Sequence, residues 1–537
     1  MNRPALPADV PDGPFDLAQD PAAVLAALAT LRHRDAPTHG GRVLSYVYDP
    51  GVPELDALAG DAARAMQPVN GLDPTTFGSV AALERDVVTF ARDLLGGDAD
   101  TVGTVTSGGT ESCLLAVQSA RDTWLAARGR RPGEARPRLV APVTVHAAFQ
   151  KAAHLYGLEL DLVPVRADGP TAGAVDAATL GARLTAGPGG ASDVALVVVS
   201  APSYPHAAAD PVADVAALAA AQGVPVHVDA CIGGFALPFW PGLPAWDLRV
   251  PGVTSVSADL HKYAFAPKGA SVLLHRDRDR QRAQYFATTR WPGYPVVNPT
   301  LLGSRSGGPL AAAWAILQAL GTDGLATLAG RARRATLALR DAVDGAAGAD
   351  GAAGTDGIDG LRVVGSPVGP LLAVATDASV PEARRVDPHL WADAVARRGW
   401  VLQAQPGLDQ ADGTRLPHTT HLTVTPVTEG VLGELVPVLR AAADEVRGLP
   451  RPDAGTLLGA LPSLDPGASL DSATAAALLD GIGLGGVGGG PDADTDAQPG
   501  VGPMAPLLAL VEALPAPLVE RLLVELLARL VEPRPAV

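Results

Sequence analysis

Val194–Ser200 reads VALVVVS, a run with no polar side chain before its last residue. Alternation of apolar and polar residues would suit a strand with one wet face. An unbroken apolar run suits a strand buried on both faces, as in a parallel sheet covered by helices. Arg138 to Val145 is a second such run, and Val224–Asp229 (VPVHVD) is a third. The alternating Val253, Ser255, Val256 and the stretch Ala270 to Leu274 add two more strands. Between them lie helical segments: Ser112 to Ala127, Ala147 to His154, and one with Asp210 as cap and Pro211 at its first position that ends at Gly223. This alternation predicts an α/β fold with a mainly parallel sheet between helices. It also places ligands at the carboxyl ends of the strands.

The 537 residues suffice for several domains. Residues 1–78 are turn-rich and predict an arm that cannot fold alone, with a short helix from Pro21 to Leu31. Residues 79–320 form the large domain, opening on a helix (Val80, Leu83, Val87, Phe90, Leu94) closed by Gly96-Gly97. Residues 321–450 alternate strand and helix patterns and predict a smaller α/β domain with a low-complexity loop at Asp344–Gly360. Residues 451–537 are expected to form a flexible linker, glycine-rich at 481–502, and a terminal amphipathic helix, Leu518–Val531, whose leucine face must be buried somewhere. A net charge of −16 argues against nucleic acid as a partner. The two cysteines, Cys113 and Cys231, are far apart and show no metal or disulfide spacing, so they read as small core residues in a reducing cytoplasm. No run reaches the length of a membrane-spanning helix.

Lysine is nearly absent: Lys151, Lys262 and Lys268 stand among 41 basic residues. Arginine supplies charge but stays protonated, whereas a desolvated lysine can become an amine nucleophile. Lys262 follows a strand and a turn, which makes it a candidate Schiff-base lysine. Ser107-Gly-Gly-Thr110 opens a helix whose leading N–H groups can hold a phosphate, although alone it is as easily an ordinary capped turn. His146, His206, Asp229 and Lys262 all fall at or just beyond strand ends. An amine, a carboxylate at a strand end, a histidine and an anion-binding turn together meet the needs of pyridoxal 5'-phosphate, whose aldehyde, pyridine nitrogen and phosphate each require one of them.

The motifs Thr106-Ser-Gly-Gly-Thr-Glu-Ser112, Val145-His-Ala-Ala-Phe-Gln-Lys151, Ala201-Pro-Ser-Tyr-Pro-His206, His227-Val-Asp-Ala-Cys-Ile-Gly-Gly-Phe235, Asp259-Leu-His-Lys-Tyr-Ala-Phe-Ala-Pro-Lys-Gly269 and Pro299-Thr-Leu-Leu-Gly-Ser-Arg305 occur in unbroken order. In them the chain resembles the sphingosine-1-phosphate lyase family, within the fold-type-I pyridoxal-phosphate decarboxylases and lyases. The resemblance implies that Lys262 anchors the cofactor, Asp229 pairs with its pyridine nitrogen and His146 stacks on its ring. It implies that Gly109, Thr110 and His261 hold the cofactor phosphate, joined by Ser304 from the second subunit of a homodimer. Tyr48 and Lys268 would meet the substrate's phosphate end, Asn70 and Asp73 would also line the substrate, and His206, near the reacting centre, would be catalytic together with Lys262 and Tyr48. The implied reaction is retro-aldol cleavage of a β-hydroxy amine, such as a sphingoid base phosphate. The alternative with the same cofactor is decarboxylation of an L-amino acid.

One position departs from the family pattern. Where Asn-Pro-Leu-His is expected the chain has Asn70-Gly-Leu-Asp73, a carboxylate in place of an imidazole. Two like charges ~4 Å apart at an effective dielectric of ~20 repel by roughly 4 kcal/mol, enough to cancel a phosphate preference. Asp73 therefore implies a substrate without phosphate, unless its loop turns the carboxylate away.

Overall fold

The computed structural model describes residues 17–33, 35–187, 189–346, 356–455, 471–481 and 504–533. Residues 38–450 form one compact unit, and residues 1–37 group with 451–537 in another. The expected N-terminal arm therefore does not act as one piece. Its first helix, α1 (Pro21–Arg32), belongs with the C-terminal segment and buries none of its residues. Its remainder, with α2 (Pro53–Ala65), is woven into the main body: Leu44 N donates to Val401 O, and Thr423 N donates to Leu44 O.

In the main body α3 (Gly78–Leu94) leads to β1 (Val102–Thr106), α4 (Gly109–Ala126), β2 (Arg138–Pro142) and α5 (Ala147–Tyr156). Then come β3 (Glu159–Val163), α6 (Ala177–Thr185), β4 (Val194–Ser200), α7 (Val212–Ala220), β5 (Val226–Asp229), β6 (Val253–Ala258) and β7 (Ser271–His275). These strands make a seven-stranded sheet in the order β1-β7-β6-β5-β4-β2-β3. Neighbours from β3 across to β6 run parallel, and only β7 is antiparallel to its flanks. The burial of β4 explains its sequence. Val197 and Val199 point into one core with Val226 and Val256, while Leu196 and Val198 point into a second with Leu139, Phe149 and Cys113. Both faces are dry, so no polar alternation is possible.

Past α8 (Arg278–Arg282) and the hairpin β8 (Phe286–Thr288) and β9 (Val296–Asn298), the helix α9 (Gly308–Asp344) breaks at Gly321, where φ is +55°. Its first part packs Leu310 and Leu317 on the large core, and its end packs Leu339 and Val343 on the small one. The small core lies under a sheet of β10 (Leu361–Val363), β11 (Leu371–Thr376), β12 (Gln403–Gln405) and β15 (Thr419–Thr423), with β13 (Leu408–Asp409) and β14 (Arg415–Leu416) as a separate ribbon. Its helices are α10 (Pro388–Ala396) and α11 (Thr428–Val446), packed around the buried Trp391 and Trp400. Most of the expected loop at 344–360 lies outside the described residues.

In the other unit α12 (Ser472–Gly481), α13 (Met504–Ala513) and α14 (Ala516–Leu530) are helical. The expected linker at 482–502 lies outside the described residues. Leu518 and Leu522 of α14 bury against Ala475, Leu478 and Leu479 of α12, while Leu523, Val524 and Leu527 are exposed. The amphipathic face is thus met by a helix within 451–537, a region the sequence pattern reads as linker.

Candidate active site

β6 ends at Ala258, and the next residue, Asp259, is the centre of a buried charge cluster. Lys262, one turn on, brings Nζ to 2.9 Å from Asp259 Oδ2, and His261 Nε2 lies 3.4 Å from the same oxygen. His261 Nδ1 accepts from Ala270 N at 3.4 Å, so its proton resides on Nε2 and faces the carboxylate. Burial alone would raise the Asp259 pKa, but Lys262 and His261 outweigh it and hold the group ionised far below the usual carboxylate range. Burial pulls Lys262 down, yet Asp259, with help from Tyr48 and Cys231, holds it well above the ordinary lysine value. Lys262 is therefore stored as an ammonium ion on an aspartate. Asp259 was legible in the sequence as part of a motif, but nothing there assigned it a partner. The signal was its (i, i+3) spacing to Lys262.

The helix α4 faces this pair. Its N-cap, Gly108, brings no side chain to the first turn, which leaves the leading N–H groups open to an anion. Glu111 ties the turn from below: Oε2 accepts from Ser107 N and Oγ at 2.6 and 2.7 Å, and Oε1 accepts from Leu301 N at 2.8 Å. Gly109 is required by space. A Cβ there would stand 2.7 Å from both Asp259 oxygens and 2.9 Å from Cys231 Sγ. At the end of β5, Asp229 is buried and its Oδ1 accepts from Cys231 N at 3.0 Å. Its neighbour His227 is a satisfied core histidine, bonded to Ser255 Oγ and Ser257 Oγ.

These groups fit pyridoxal phosphate. The amine, the uncapped helix start and the buried strand-end carboxylate converge, and Asp259 Oδ1 is buried with no hydrogen-bond partner among the described residues.

Tyr48 joins this cluster from the N-terminal segment. Its ring meets Tyr263 edge-on at 5.4 Å, and Lys268 Nζ stands 4.3 Å from its centroid. Burial pushes the Tyr48 phenol up to about 12. Burial and then the like charge of Lys262 pull Lys268 down to about 8. Tyr263 Oη donates to Pro370 O and Val424 O, locking the lysine turn to the small domain. The same domain contributes residues that sequence reasoning missed. His421 of β15 stacks on Tyr204 at 4.2 Å, and Tyr204 Oη donates to Gln403 of β12. His206 is buried beside them, held down to about 4 by burial, with Nδ1 turned towards Gly173 and unpartnered among the described residues.

Several expected site residues stand apart. Asn70 Nδ2 donates to Ser304 Oγ at 3.3 Å, and Ser304 shares a small cavity of about 290 Å³ with Ser107, Glu111 and Gly269. This is Ser304 of the same chain. Asp73 is exposed, and its carboxylate accepts from Thr75 N and Oγ1 and from Thr76 N and Oγ1, holding its pKa down at about 2. It lines a half-open cavity of about 990 Å³ with Arg85, Arg92 and Tyr294, which includes neither Lys262 nor Asp229. His146 is exposed and caps α5, Nδ1 accepting from Ala148 N at 3.2 Å. Thr110 is exposed at the start of α4. Asp210 does not cap α7: it is buried and accepts from Ser200 N and Val175 N, joining the end of β4 to the segment before α6.

The family profile described as the pyridoxal-dependent decarboxylase conserved domain matches residues 16–344. A second, described as "Pyridoxal-dependent enzyme, C-terminal putative HTH domain", matches residues 455–529. The sphingosine-1-phosphate lyase of Dictyostelium discoideum is 32% identical over 422 residues, 77% of this chain and 71% of that protein. Sphingosine-1-phosphate lyase 1 of Mus musculus is 37% identical over 308 residues, 56% of this chain and 51% of that protein. A solved sphingosine-1-phosphate lyase from Burkholderia pseudomallei, 32% identical, superposes with a TM-score of 0.69 over 82% of this chain and 94% of that one. Glutamate decarboxylase from Lactobacillus brevis superposes with a TM-score of 0.66 at 17% identity, a likeness of fold alone. With 32% identity sustained over 71% of the Dictyostelium protein and the profile spanning more than half of the chain, this protein belongs to the sphingosine-1-phosphate lyase family within the pyridoxal-dependent decarboxylases.

Proposed function

We propose that the chain is a pyridoxal-phosphate-dependent carbon–carbon lyase that splits a phosphorylated long-chain β-hydroxy amine into an aldehyde and a shortened amine. The observation that carries this reading is the Lys262 ammonium stored on Asp259, with a second cation, Lys268, over the ring of Tyr48. Pyridoxal phosphate, when bound, supplies a ring that takes up the electron pair of the broken bond. Gly109, Thr110 and His261 would hold its phosphate, joined by Ser304 of a second copy, while Asp229 would pair with the pyridine nitrogen and His146 would lie over the ring. Lys262 is the covalent anchor and returns the proton. His206, neutral at pH 7, accepts the hydroxyl proton. Tyr48, protonated at neutral pH, donates to the substrate's phosphate end with Lys268, and Asn70, paired with Ser304, would join them from the second copy.

Homodimerisation in the cytoplasm belongs to the same proposal, and the exposed Phe286, Trp291 and Tyr294 around β8 and β9 are supporting apolar surface. Residues 451–537 carry 11 acidic against 4 basic side chains and no lysine, a balance unsuited to a phosphate backbone. Nucleic acid is therefore left out of the proposed partners.

The deciding experiment is product analysis across amino alcohols, their phosphates and amino acids. Aldehyde is the expected product, and carbon dioxide without aldehyde would establish the decarboxylase alternative.

Two further results are expected from the same assay. Because Asp73 turns its carboxylate to Thr75 and Thr76, Asp73→His should leave the ratio of phosphorylated to unphosphorylated substrate use within about twofold. A shift of about tenfold, some 1.4 kcal/mol, towards the phosphate would put the carboxylate at the substrate after all. Lys268 is charged below about pH 8 and neutral above it. The KM for a phosphorylated substrate should therefore be flat below that pH and rise above it by roughly tenfold per unit. Lys268→Ala should give a high KM without the bend, and a bend surviving that change would assign it to another group.

A further inference from the structure

Cys113 and Cys231 are the chain's only cysteines, and the fold brings both, as buried free thiols, to one place. Cys113 lies one helical turn after Gly109 on α4, so the two positions share the face turned to the end of β5. Cys231 follows Asp229 by two residues, and its N–H to the Asp229 carboxylate folds thiol and carboxylate to the same side. The two sulfurs and a carboxylate oxygen of Asp229 all lie within 4.8 Å of one another. The Cys231 thiol itself donates to Ser257 Oγ at 3.3 Å. Beside them the Asp259 carboxylate and Cys231 Sγ converge on the point where a Cβ of residue 109 would stand, and Asp259 Oδ1 has no hydrogen-bond partner among the described residues.

We propose that Cys113, Cys231 and Asp229 form a binding site for a thiophilic divalent cation such as zinc, the fourth position being filled by water or Asp259 Oδ1. Two sulfurs and one carboxylate are a donor set that selects soft or borderline dications over magnesium and calcium. With bonds of about 2.3 Å, two sulfurs on a tetrahedral ion stand about 3.8 Å apart, so closing the site asks for a movement of at most about 1 Å. The ligands come from the start of a helix, the end of a central strand and the turn that follows it, and all three are buried. Asp229 is also the carboxylate assigned above to the pyridine nitrogen. On that reading, which this consequence rests on, cation and cofactor exclude one another, and the site makes cofactor loading sensitive to thiophilic metals.

The test uses the reduced full-length protein, as isolated and after removal of cofactor, titrated with cadmium and with zinc. The cofactor-free wild type should take up one equivalent of cadmium with a thiolate-to-cadmium charge-transfer band in the ultraviolet. Because loss of an outer-shell partner already lowers metal affinity about 10–100-fold, Cys113→Ser and Cys231→Ser should each weaken zinc binding by more than about 100-fold. Absence of the cadmium band from the wild type, which needs no variant and hence no assumption about variant folding, would overturn the proposal. So would zinc affinity unchanged in both variants. Zinc should also slow the return of cofactor to the wild type and leave Cys113→Ser unaffected. If zinc binds with the stated cysteine dependence but cofactor returns at its normal rate, the metal site stands and Asp229 is removed from the cofactor reading.

Discussion

Replacing Lys262 by alanine is expected to abolish the visible absorbance of protein-bound pyridoxal after desalting, and to lower turnover by at least about 10⁴-fold. The alanine variant alone would leave room for a trivial explanation. It strips Asp259 of its main counter-charge, and removing one partner of a buried ion pair costs about 3–5 kcal/mol. Lys262→Arg separates the two effects. A guanidinium keeps the charge beside Asp259 but cannot lose its proton to become an amine nucleophile. Lys262→Arg should therefore hold most of the stability lost in Lys262→Ala, while remaining equally unable to anchor the cofactor. Wild-type absorbance in either variant would remove Lys262 from the centre of the chemistry. Alanine and arginine variants of equal stability would remove Asp259 from its role as counter-ion.

The parts of this protein that could be read from its sequence are those in which neighbours along the chain are neighbours in space. β4 announces its two dry faces in seven residues, and Lys262 is conspicuous in a chain that uses arginine for nearly every other positive charge. The turn that holds Asp73 was also legible. An aspartate followed by threonines two and three residues on is a local capping pattern, and the carboxylate is satisfied by it. The chain sets a carboxylate at Asp73 where the family motif has an imidazole, and the local pattern turns that carboxylate to Thr75 and Thr76. What could not be read are contacts made by the sheet order and by the small domain. Tyr204 reaches Gln403 and His421 only because β12 and β15 are laid against the turn after β4. The two cysteines meet because α4 crosses the end of β5, a consequence of β5 occupying the middle of the sheet. The grouping of α1 with the C-terminal helices has no local signature either, since α1 buries none of its own residues.

Asp259→Asn is expected to cost about 3–5 kcal/mol of unfolding free energy at neutral pH, since it keeps the shape of the side chain and leaves the Lys262 ammonium buried without a counter-charge. The pH dependence identifies the cause. The folded state holds Asp259 below its ordinary value of 3.8, so this group's contribution is present above pH 4 and is lost as acid protonates it. Lys262 is held above 10.5, so its contribution is present below that pH and is lost as base removes the proton. The stability gap between wild type and Asp259→Asn should accordingly be level above about pH 4, narrow below it, and narrow again on the alkaline side from the pH at which the variant's own Lys262 loses its proton. With the carboxylate gone, burial is the dominant influence left on Lys262 and drives its pKa down, as it does for lysines buried without a partner. The amine then becomes free at lower pH, and the pH at which cofactor attaches at half its maximal rate should fall by at least about one unit relative to wild type. An unfolding free energy within about 1 kcal/mol of wild type, or an unmoved attachment midpoint, would mean that Asp259 does not govern the protonation of Lys262.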